Sequence, residues 1–263
     1  MNIYHSAADA PDVLPANSIV NADCFDVFDK VADASIDMIL CDLPYGTTAC
    51  KWDTVLPFDK LWAQYKRVLK PNGVVVLTAS QPFTSVAVMS NLKWFKYCWI
   101  WDKKTKVGMM NCKRMPLKQH EDVLIFYGNK SVYNPQMTKG KMRNKKIQPT
   151  KKFETYGQIK PIDNINDDYY PSSILQFTNA NQKIKSHPTQ KPIALFKYLI
   201  ETYTNAGMRV LDNCAGSGTT GAACVELGRE FILMEKESGY FNDTIIPRLT
   251  NAITTQNSKL FNE

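Results

Sequence analysis

Residues 36–46 read Ile-Asp-Met-Ile-Leu-Cys-Asp-Leu-Pro-Tyr-Gly, and this stretch decides the fold. Its apolar part is short and ends abruptly at Asp42, which is typical of a buried strand in a parallel sheet. Pro44 cannot continue such a strand and biases Leu43 toward an extended backbone. We therefore expect the Asp42 carboxylate, the Leu43 carbonyl and the Tyr45 ring at the carboxyl edge of the sheet, where open α/β sheets bind ligands.

These groups suit chemistry on a planar exocyclic amine, whose lone pair is delocalised into its ring. Two acceptors facing the N–H bonds would draw the nitrogen toward tetrahedral geometry, and an aromatic ring would stack on the base. Asp42 and the Leu43 carbonyl would be the acceptors, Tyr45 would be the stacking ring, and Pro44 would fix the loop. An isolated Asp-x-Pro-Tyr is more often an ordinary strand exit, so the rest of the chain must decide between the two interpretations.

A second nucleotide-site pattern lies later in the chain. Residues 209–234 predict a strand, a tight glycine turn, a helix capped by Gly228 and another strand, with Glu235 at its tip. Small residues in such a turn let the backbone approach a ligand, and the acidic residue can accept both ribose hydroxyls. The turn lacks the third glycine of a dinucleotide fingerprint and the Gly-Lys-Ser/Thr of a phosphate loop. A nucleoside without a pyrophosphate fits better than NAD or ATP, although a plain βαβ crossover remains open.

Composition indicates one large hydrophobic core, because the chain has 263 residues of which 44% are hydrophobic. Seven cysteines are scattered without a Cys-x-x-Cys pair, so we expect neither a metal site nor a disulfide framework. Most should be buried as small hydrophobes in a reducing compartment. No signal peptide and no apolar run of membrane-spanning length is apparent. We expect a soluble, cytoplasmic protein with no membrane partner.

The net charge of +7 is concentrated in the middle of the chain. Residues 102–160 contain fifteen Lys or Arg and four acidic residues, a local balance of +11, which leaves −4 for the remainder. Solvated lysines explain a single basic run, but Asn, Gln and three aromatic residues interleaved here favour nucleic acid. The basic residues assigned to DNA contacts are Lys103, Lys104, Lys113, Arg114, Lys139, Lys141, Arg143, Lys145 and Lys146.

Strand and helix patterns alternate on both sides of this basic region. Strands are predicted at 18–23, 36–41, 74–78, 97–101 and 122–127, helices at 58–69 and 82–91, a turn at 71–73 and a loop over the site at 47–57. The pattern weakens after Gly128, apart from a possible strand at 173–177, and returns with a helix that follows Pro192. We predict a doubly wound α/β domain formed by residues 1–128 and 186–263, with an inserted region at 129–185.

Taken together, these motifs resemble the S-adenosylmethionine-dependent DNA amino-methyltransferases. The family patterns are Asp-Pro-Pro-Tyr, His-Pro-Thr-Gln-Lys-Pro and Asp-Pro-Phe-x-Gly-Ser-Gly-Thr-Thr, and they stand here at residues 42–45, 187–192 and 212–220. The order of catalytic motif, insert and cofactor motif is that of the β class. The resemblance covers nearly all of the chain except about residues 129–170. It implies a doubly wound, mostly parallel, Rossmann-like methyltransferase sheet with an inserted target-recognition region.

The resemblance implies transfer of a methyl group from S-adenosylmethionine to the N6 amine of adenine in double-stranded DNA. In the family an Asp at the first catalytic position goes mainly with adenine and a Ser with cytosine, so N4-cytosine methylation is the alternative. A catalytically inactive DNA-binding module is a second alternative. Methylation of RNA or of a protein glutamine fits less well, because those enzymes usually carry the cofactor motif first. The resemblance leaves open a homodimer and a paired restriction endonuclease.

The resemblance also assigns roles to individual residues. Asp42, Leu43, Pro44 and Tyr45 are the expected catalytic group. Glu235 would hold the ribose, Asp23 would lie near the cofactor base, and Asn213-Cys214, which replace Pro-Phe of the family, predict looser packing around the cofactor. The full expected cofactor set is Asp23, Cys24, Asp42, His187, Thr189, Lys191, Asp212, Asn213, Cys214, Ala215, Gly216, Ser217, Gly218, Thr219, Thr220 and Glu235.

Overall fold

The computed structural model describes residues 1–48, 50, 52–147, 152–153, 157–158, 162–178 and 190–260. The chain divides into two compact units, one formed by Met1–Asn134 with Ser173–Glu263 and the other by Pro135–Ser172. The second unit falls inside the predicted insert at 129–185. The exact boundaries of that insert remain a prediction.

Thirteen strands and seven α-helices are assigned within the described part of the chain. The strands are β1 Asn2–Tyr4, β2 Ser18–Asn21, β3 Ile36–Cys41, β4 Leu69–Ala79, β5 Phe95–Val107, β6 Lys118–Phe126, β7 Thr138–Ile147, β8 Lys152–Phe153, β9 Gly157–Gln158, β10 Ile162–Tyr169, β11 Ile174–Gln176, β12 Arg209–Asp212 and β13 Glu230–Glu235. The α-helices are α1 Cys24–Val27, α2 Phe58–Val68, α3 Phe83–Ser90, α4 Ile193–Tyr203, α5 Thr219–Leu227, α6 Ser238–Tyr240 and α7 Ile246–Leu260. Short 3₁₀ turns at Phe28–Lys30 and Met109–Asn111 and a π-helical turn at Phe241–Ile245 complete the assignment.

The first unit is built on one large, mostly parallel sheet. Its described strands follow the order β1-β2-β13-β12-β3-β4-β6-β5-β11. Strand β6 runs antiparallel to both of its neighbours, β4 and β5, whereas the other neighbouring pairs are parallel. The predicted fold class is confirmed. Helix–strand alternation indicated neither the antiparallel direction of β6 nor the short edge strand β1.

Helices cover both faces of this sheet, as the alternation of side chains along β3 shows. Ile39 and Cys41 belong to one core cluster, together with the buried face of α2. Met38 and Leu40 belong to the other cluster, together with α4, α5 and α7. Successive strand residues point to opposite faces, so the two clusters lie on opposite sides of the sheet. This is the doubly wound arrangement.

The predicted turn at residues 71–73 is wrong, because the structure places these residues inside β4. The register with β3 jumps from the pair Ile36–Leu69 to the pair Met38–Val74, so residues 70–73 form a bulge within one continuous pairing. A Cβ on Gly73 would lie 2.6 Å from a Leu69 methyl group and 3.0 Å from the Lys70 carbonyl oxygen. The glycine is therefore required by close packing in the bulge.

The cysteines are less uniformly buried than the sequence predicted. Cys24, Cys41 and Cys224 are buried, and all seven cysteines have free thiols. Cys50 and Cys112 are exposed, because they lie in loops rather than in apolar strands. Within the described part of the chain, every helix is too short or too polar to cross a membrane.

The second unit contains strands that the sequence did not predict. Its long antiparallel pair joins β7 to β10, and a short pair joins β8 to β9. Arg143 stacks over Tyr169 at 4.0 Å from the ring centroid and donates to the Asp168 carbonyl. Polar residues fill both strands, so the sequence carries no apolar alternation that would have revealed them.

Candidate active site

The three strands that matter most for the site end at the same edge of the sheet. β12 lies between β3 and β13, and both pairings are parallel. Asp42 directly follows β3, Asp212 ends β12, and Glu235 ends β13. All three residues line a single cavity of about 450 Å³. The acid after the first core strand and the distant glutamate therefore open onto a common site.

The carboxylate of Asp42 is held in a fixed orientation by three donors. The Tyr45 hydroxyl donates to Oδ1 at 2.8 Å, and the Thr78 hydroxyl donates to the same oxygen. The Lys191 ammonium donates to Oδ2 at 2.6 Å. The Asp42 side chain is nevertheless 21% exposed, so it is positioned without being sealed off from the cavity.

Tyr45 is held by contacts on its ring as well as by its hydroxyl. The ring stacks on Phe83 with centroids 5.0 Å apart and an interplanar angle of 28°. Burial and the neighbouring Asp42 raise the pKa of Tyr45 well above its ordinary value. The hydroxyl therefore stays protonated and acts as a donor to Asp42.

The loop that follows the catalytic motif is held by one carboxylate. Asp53 accepts hydrogen bonds from the backbone N–H groups of Gly46, Thr47 and Thr48 at 2.8, 2.9 and 2.7 Å. Burial acts to raise the pKa of Asp53, but hydrogen bonds from Thr48 and the backbone outweigh it and lower the pKa. The described residues of this predicted loop contribute Thr47, Thr48, Trp52, Asp53 and Leu56 to the cavity lining.

Asp42 belongs to a buried network of two carboxylates and two ammonium groups. The Lys191 ammonium lies 2.6 Å from Asp42 Oδ2 and 3.5 Å from Glu121 Oε2. Lys103 pairs with the other oxygen of Glu121, Oε1, at 2.6 Å. Burial acts to raise the pKa of Glu121, but the charges of Lys191 and Lys103 outweigh it and lower the pKa. The four side chains together carry no net charge.

Glu235 is another carboxylate of the cavity lining, and backbone groups fix its orientation. Its Oε2 accepts from the Gly216 N–H at 2.7 Å, and its Oε1 accepts from the Glu237 N–H at 2.8 Å. Burial raises the pKa of Glu235 to about 7, although these two hydrogen bonds act in the opposite direction. The carboxylate is fixed by backbone groups on both of its oxygens, and its remaining lone pairs can accept hydrogen bonds from a ligand.

Asp212 shapes the glycine turn rather than presenting a free carboxylate. Oδ1 accepts from the Cys214 N–H at 3.1 Å, and Oδ2 accepts from the Thr220 hydroxyl at 2.5 Å. Burial raises the pKa of Asp212 to about 6. Gly216 and Gly218 adopt left-handed backbone conformations with φ of 53° and 70°, which favour glycine. The expected contact of this turn with a ligand remains a prediction.

Asn213, one of the departures from the family pattern, is anchored by a buried hydrogen bond. The Tyr65 hydroxyl donates to Asn213 Oδ1 at 2.6 Å. Tyr65 is fully buried and Asn213 is 3% exposed. The looser packing expected at this position is therefore offset by a polar contact with α2.

We expect Tyr65→Phe to lower the free energy of unfolding by about 1–3 kcal/mol, because it leaves a buried amide oxygen without its donor. Denaturant titration of the wild type and the variant measures the difference. Tyr170→Phe is the matched control, since Tyr170 is 72% exposed and its change should stay within about 0.5 kcal/mol. A Tyr65→Phe variant as stable as the wild type would show that the bond does not anchor Asn213.

Most of the predicted cofactor residues line the cavity. The described ones that do so are Asp23, Cys24, Asp42, Lys191, Asp212, Asn213, Cys214, Ala215, Gly216, Ser217, Thr219 and Glu235. Gly218 and Thr220 are not among the lining residues and belong to the turn and the start of α5. His187 and Thr189 lie outside the described residues. Leu43, Pro44 and Tyr45 of the predicted catalytic group also line the cavity.

Lys103 requires a correction among the predicted DNA contacts. Its side chain is buried, paired with Glu121, and part of the cavity lining, so it does not belong to an exposed phosphate-binding surface. The side chains of Lys104, Lys113, Arg114, Lys139 and Lys141 are exposed, and that of Arg143 is half-buried. The side chains of Lys145 and Lys146 are outside the described part of the chain.

Glu121 and Phe196 also line the cavity, although no sequence pattern indicated a site role for either. Trp52 lines it as part of the predicted loop over the site. The sequence did contain a signal that Lys103 is buried. Trp99, Trp101 and Lys103 occupy alternate positions along β5, and the two tryptophans are buried. The period of two places Lys103 on the buried face of that strand. Counting basic residues alone ignored this period.

Comparison with known proteins identifies the class. The profile of a DNA methylase family, the N6/N4 methyltransferases, matches residues 36–246. The chain is 26% identical over 233 residues to the Type II methyltransferase M.HpaI of Haemophilus parainfluenzae, covering 79% of this chain and 69% of that protein. It is 26% identical over 252 residues to the Type II methyltransferase M2.DpnII of Streptococcus pneumoniae, covering 84% and 85%.

Solved structures agree with this result. The complex of M1.HpyAVI with S-adenosylmethionine has a TM-score of 0.62 and 28% identity, covering 88% of this chain and 98% of that one. PvuII DNA methyltransferase, which is cytosine-N4-specific, has a TM-score of 0.62 at 15% identity, covering 93% of each chain, and supports the fold alone. The chain belongs to the N6/N4 DNA methylase family, and it is a β-class, S-adenosylmethionine-dependent DNA amino-methyltransferase.

The cavity residues fit this cofactor chemically. A volume of about 450 Å³ lies within the range of small-molecule sites. Glu235 is an acidic group at the tip of the second strand, which is where a βαβ site accepts ribose hydroxyls. Asp42 and Asp23 add negative charge to the lining, which suits a ligand that carries a positively charged sulfur.

Proposed function

We propose that this enzyme methylates the N6 amine of adenine in double-stranded DNA, at a base turned out of the duplex into the cavity. The observation that carries the proposal is the presence of Asp42 and Glu235 in one cavity lining. An amine inside the helix is out of reach of such a cavity, so the target nucleotide has to be extruded.

In the proposed mechanism this chain supplies orientation and charge. S-adenosylmethionine supplies an electrophilic methyl group on a positively charged sulfur. Asp42 accepts one N–H of the amine and the Leu43 carbonyl accepts the other, which directs the nitrogen lone pair toward that methyl group. Asp42 is also the acceptor for the proton that the nitrogen loses after transfer. Tyr45 stacks on the base, and fixed positions of this kind contribute much of the rate enhancement.

Adenine is preferred over cytosine in this proposal because the first catalytic position is an aspartate. The N4 amine of cytosine needs the same two acceptors, so it is the second candidate. An inactive DNA-binding role is disfavoured, because Asp42, Tyr45 and Glu235 are all present in the cavity lining. Glu235, Asp23, Lys191 and the turn at 212–220 are the proposed cofactor-binding group, with His187 and Thr189 added from sequence alone.

Identification of the modified base tests the proposal directly. The enzyme is incubated with mixed-sequence duplex DNA and S-adenosylmethionine, the DNA is digested to nucleosides, and the products are identified by mass. N6-methyladenine is the expected product. N4-methylcytosine would transfer the assignment to the second candidate, and unmodified DNA with normal S-adenosylhomocysteine binding would support the inactive module.

We propose that lysines and arginines, most of them exposed, bind the phosphates of the duplex. Lys113 and Arg114 lie on the connection between β5 and β6, and Lys104 lies near the end of β5. Val107 and Lys118, which flank the connection, line the cavity. Lys139, Lys141 and Arg143 belong to the second unit, where Lys139 also pairs with Asp167 and Asp168. Phosphate contacts fix orientation, whereas base-edge contacts from the second unit would read the sequence.

Salt dependence of DNA binding measures the number of these contacts. Each phosphate neutralised contributes about −0.9 to the slope of log affinity against log salt. We expect Lys113→Ala with Arg114→Ala to reduce the steepness of the slope by about 1.8. Lys60→Ala with Lys93→Ala removes the same charge from exposed sites outside residues 102–160 and should leave the slope unchanged. Equal slopes for the wild type and the first variant would remove these two residues from the DNA surface.

The proposal extends to partners and location. The proposed protein partners are a restriction endonuclease with the same recognition sequence and a second copy of this chain. The cytoplasm is the proposed location, and a DNA substrate supports it. Light scattering of the protein with and without DNA tests the second copy. A monomeric mass in both conditions would exclude it.

A further inference from the structure

Lys191 lies between two carboxylates, and only one of them is fully engaged. Its ammonium is 2.6 Å from Asp42 Oδ2 but 3.5 Å from Glu121 Oε2. The Lys191 side chain is 7% exposed and the Glu121 side chain 13% exposed. The longer separation exceeds normal hydrogen-bond distances. The ammonium therefore has a close partner in Asp42 and a more distant one in Glu121.

The surroundings of Glu121 Oε2 are unusual for a buried charged oxygen. Glu121 Oε1 is satisfied by Lys103 at 2.6 Å. Glu121 Oε2 is buried and accepts no hydrogen bond in the described structure. An unsatisfied buried polar atom costs about 1–3 kcal/mol, and more when it is charged. Such an atom in a native protein calls for an explanation, and a donor that arrives in another state supplies one.

Asp42, in contrast, already accepts several hydrogen bonds. A carboxylate offers about four acceptor positions, and Asp42 already receives Tyr45 and Thr78 on Oδ1 and Lys191 on Oδ2. The incoming amine must donate a hydrogen bond to a carboxylate whose Oδ2 is already paired with an ammonium. That ammonium draws negative charge away from the carboxylate. If Lys191 stayed in this position, it would compete with the substrate and weaken the acceptor.

We propose that Lys191 is a positioning residue that leaves Asp42 for Glu121 Oε2 when the target amine docks. This inference rests on the proposed function. A movement of about 0.7 Å brings the ammonium within about 2.8 Å of Glu121 Oε2. Glu121 is the receiving carboxylate, and Lys103 holds it in place through its other oxygen. When Lys191 moves, Asp42 becomes a stronger acceptor for the amine, and Glu121 Oε2 gains a hydrogen-bond donor.

The exchange moves a charged ammonium rather than a proton. Burial acts to lower the pKa of Lys191, but the charges of Asp42 and Glu121 outweigh it and raise the pKa. The side chain therefore remains a cation in either position. The net charge of the network is unchanged by the movement, so no counter-ion has to enter the cavity.

A purely structural role for the Lys191–Glu121 pair predicts different variant kinetics from the proposed movement of Lys191. If Glu121 only supports Lys191 structurally, its loss lowers stability and weakens every property of the site together. If Glu121 receives Lys191 during catalysis, its loss slows methyl transfer while substrate and cofactor affinities persist. Single-turnover methylation of mixed-sequence duplex DNA, calorimetric titration with S-adenosylhomocysteine and thermal unfolding separate these cases.

Glu121→Gln keeps the side-chain shape and removes the charge that receives the ammonium. We expect its single-turnover rate to fall at least tenfold, with KM values and S-adenosylhomocysteine affinity within about twofold of the wild type. Glu121→Asp should recover part of the rate because it restores the carboxylate. Glu230→Gln is the control, since it removes the carboxylate of the Arg209–Glu230 ion pair outside the cavity lining, and it should react at the wild-type rate.

A double-mutant cycle decides whether Glu121 acts through Lys191. Lys191→Met removes the competing ammonium, and adding Glu121→Gln to it should change the single-turnover rate by less than about twofold, because no Lys191 ammonium remains to be moved. This pair also decides the matter if Glu121→Gln alone fails to fold, because opposite charges are removed together. A further tenfold loss in the double variant, or wild-type kinetics in Glu121→Gln, would overturn the inference. Failure of the proposed function is separate: the wild type itself would leave DNA unmethylated.

Discussion

Asp42→Ala is expected to reduce the rate of methyl transfer by about 10³-fold or more, which corresponds to about 4 kcal/mol of transition-state stabilisation. The variant removes the anionic acceptor of the amine and the acceptor of the proton that is released. The affinity for S-adenosylhomocysteine should stay within about threefold, because Glu235 and the glycine turn are intact. Single-turnover methylation and calorimetric titration measure the two quantities.

Asp42→Asn refines this prediction. The amide keeps one acceptor oxygen in a similar position but has no charge, so we expect an intermediate loss of about 10²-fold. Asp12→Ala is the control, because Asp12 is an exposed aspartate outside the cavity lining. Thermal unfolding is measured alongside, since either variant removes the anionic partner that Lys191 has at 2.6 Å. An Asp42→Ala enzyme that is folded and transfers methyl groups at the normal rate would remove Asp42 from the mechanism.

The sequence was sufficient to predict the sheet and its functional edge. Short apolar runs such as residues 36–41 end in turn or proline signals, and alternation with helices gives parallel strands whose carboxyl ends meet. Asp42 and Glu235 could be placed at that edge from chain order alone. The reversed direction of β6 could not be predicted, because its apolar run reads the same in either orientation.

The contacts between the two halves of the site were beyond sequence reasoning. Asp42 and Lys191 are 149 positions apart, and no local pattern indicates that the ammonium reaches the carboxylate. Glu121 was given no role, because its partner Lys103 was counted as a surface charge. The bulge in β4 was missed because Pro-Asn-Gly is a typical turn signal, whereas here it is accommodated within one strand.

Glu235→Ala is expected to weaken S-adenosylhomocysteine binding by at least 10²-fold, the second-largest effect that we predict. The alanine removes the proposed acceptor of the ribose hydroxyls. It also frees the Gly216 and Glu237 N–H groups, which the carboxylate now holds at 2.7 and 2.8 Å. Calorimetric titration measures the loss. Glu226→Gln, which breaks an exposed ion pair with Lys197, should bind normally.

The same residue should make cofactor binding depend on pH. Burial raises the pKa of Glu235 to about 7, so part of the free enzyme carries a neutral acid near neutrality. Ribose hydroxyls and a positively charged sulfur favour the ionised carboxylate, which lowers its pKa in the complex and releases a proton on binding. The affinity should therefore rise with pH between about 6.5 and 8 and then level off. Titrations in buffers of different ionisation enthalpy count the released proton.

Glu235→Gln separates this titration from that of its neighbour. Asp212, whose pKa burial raises to about 6, is the other raised carboxyl of the cavity lining, but both of its oxygens are engaged by its own turn. The amide variant binds weakly, yet its affinity should be constant over pH 6.5–8 because the titrating group is gone. If the variant kept the wild-type pH dependence, the proton would come from elsewhere. The link between cofactor binding and the ionisation of Glu235 would then be wrong.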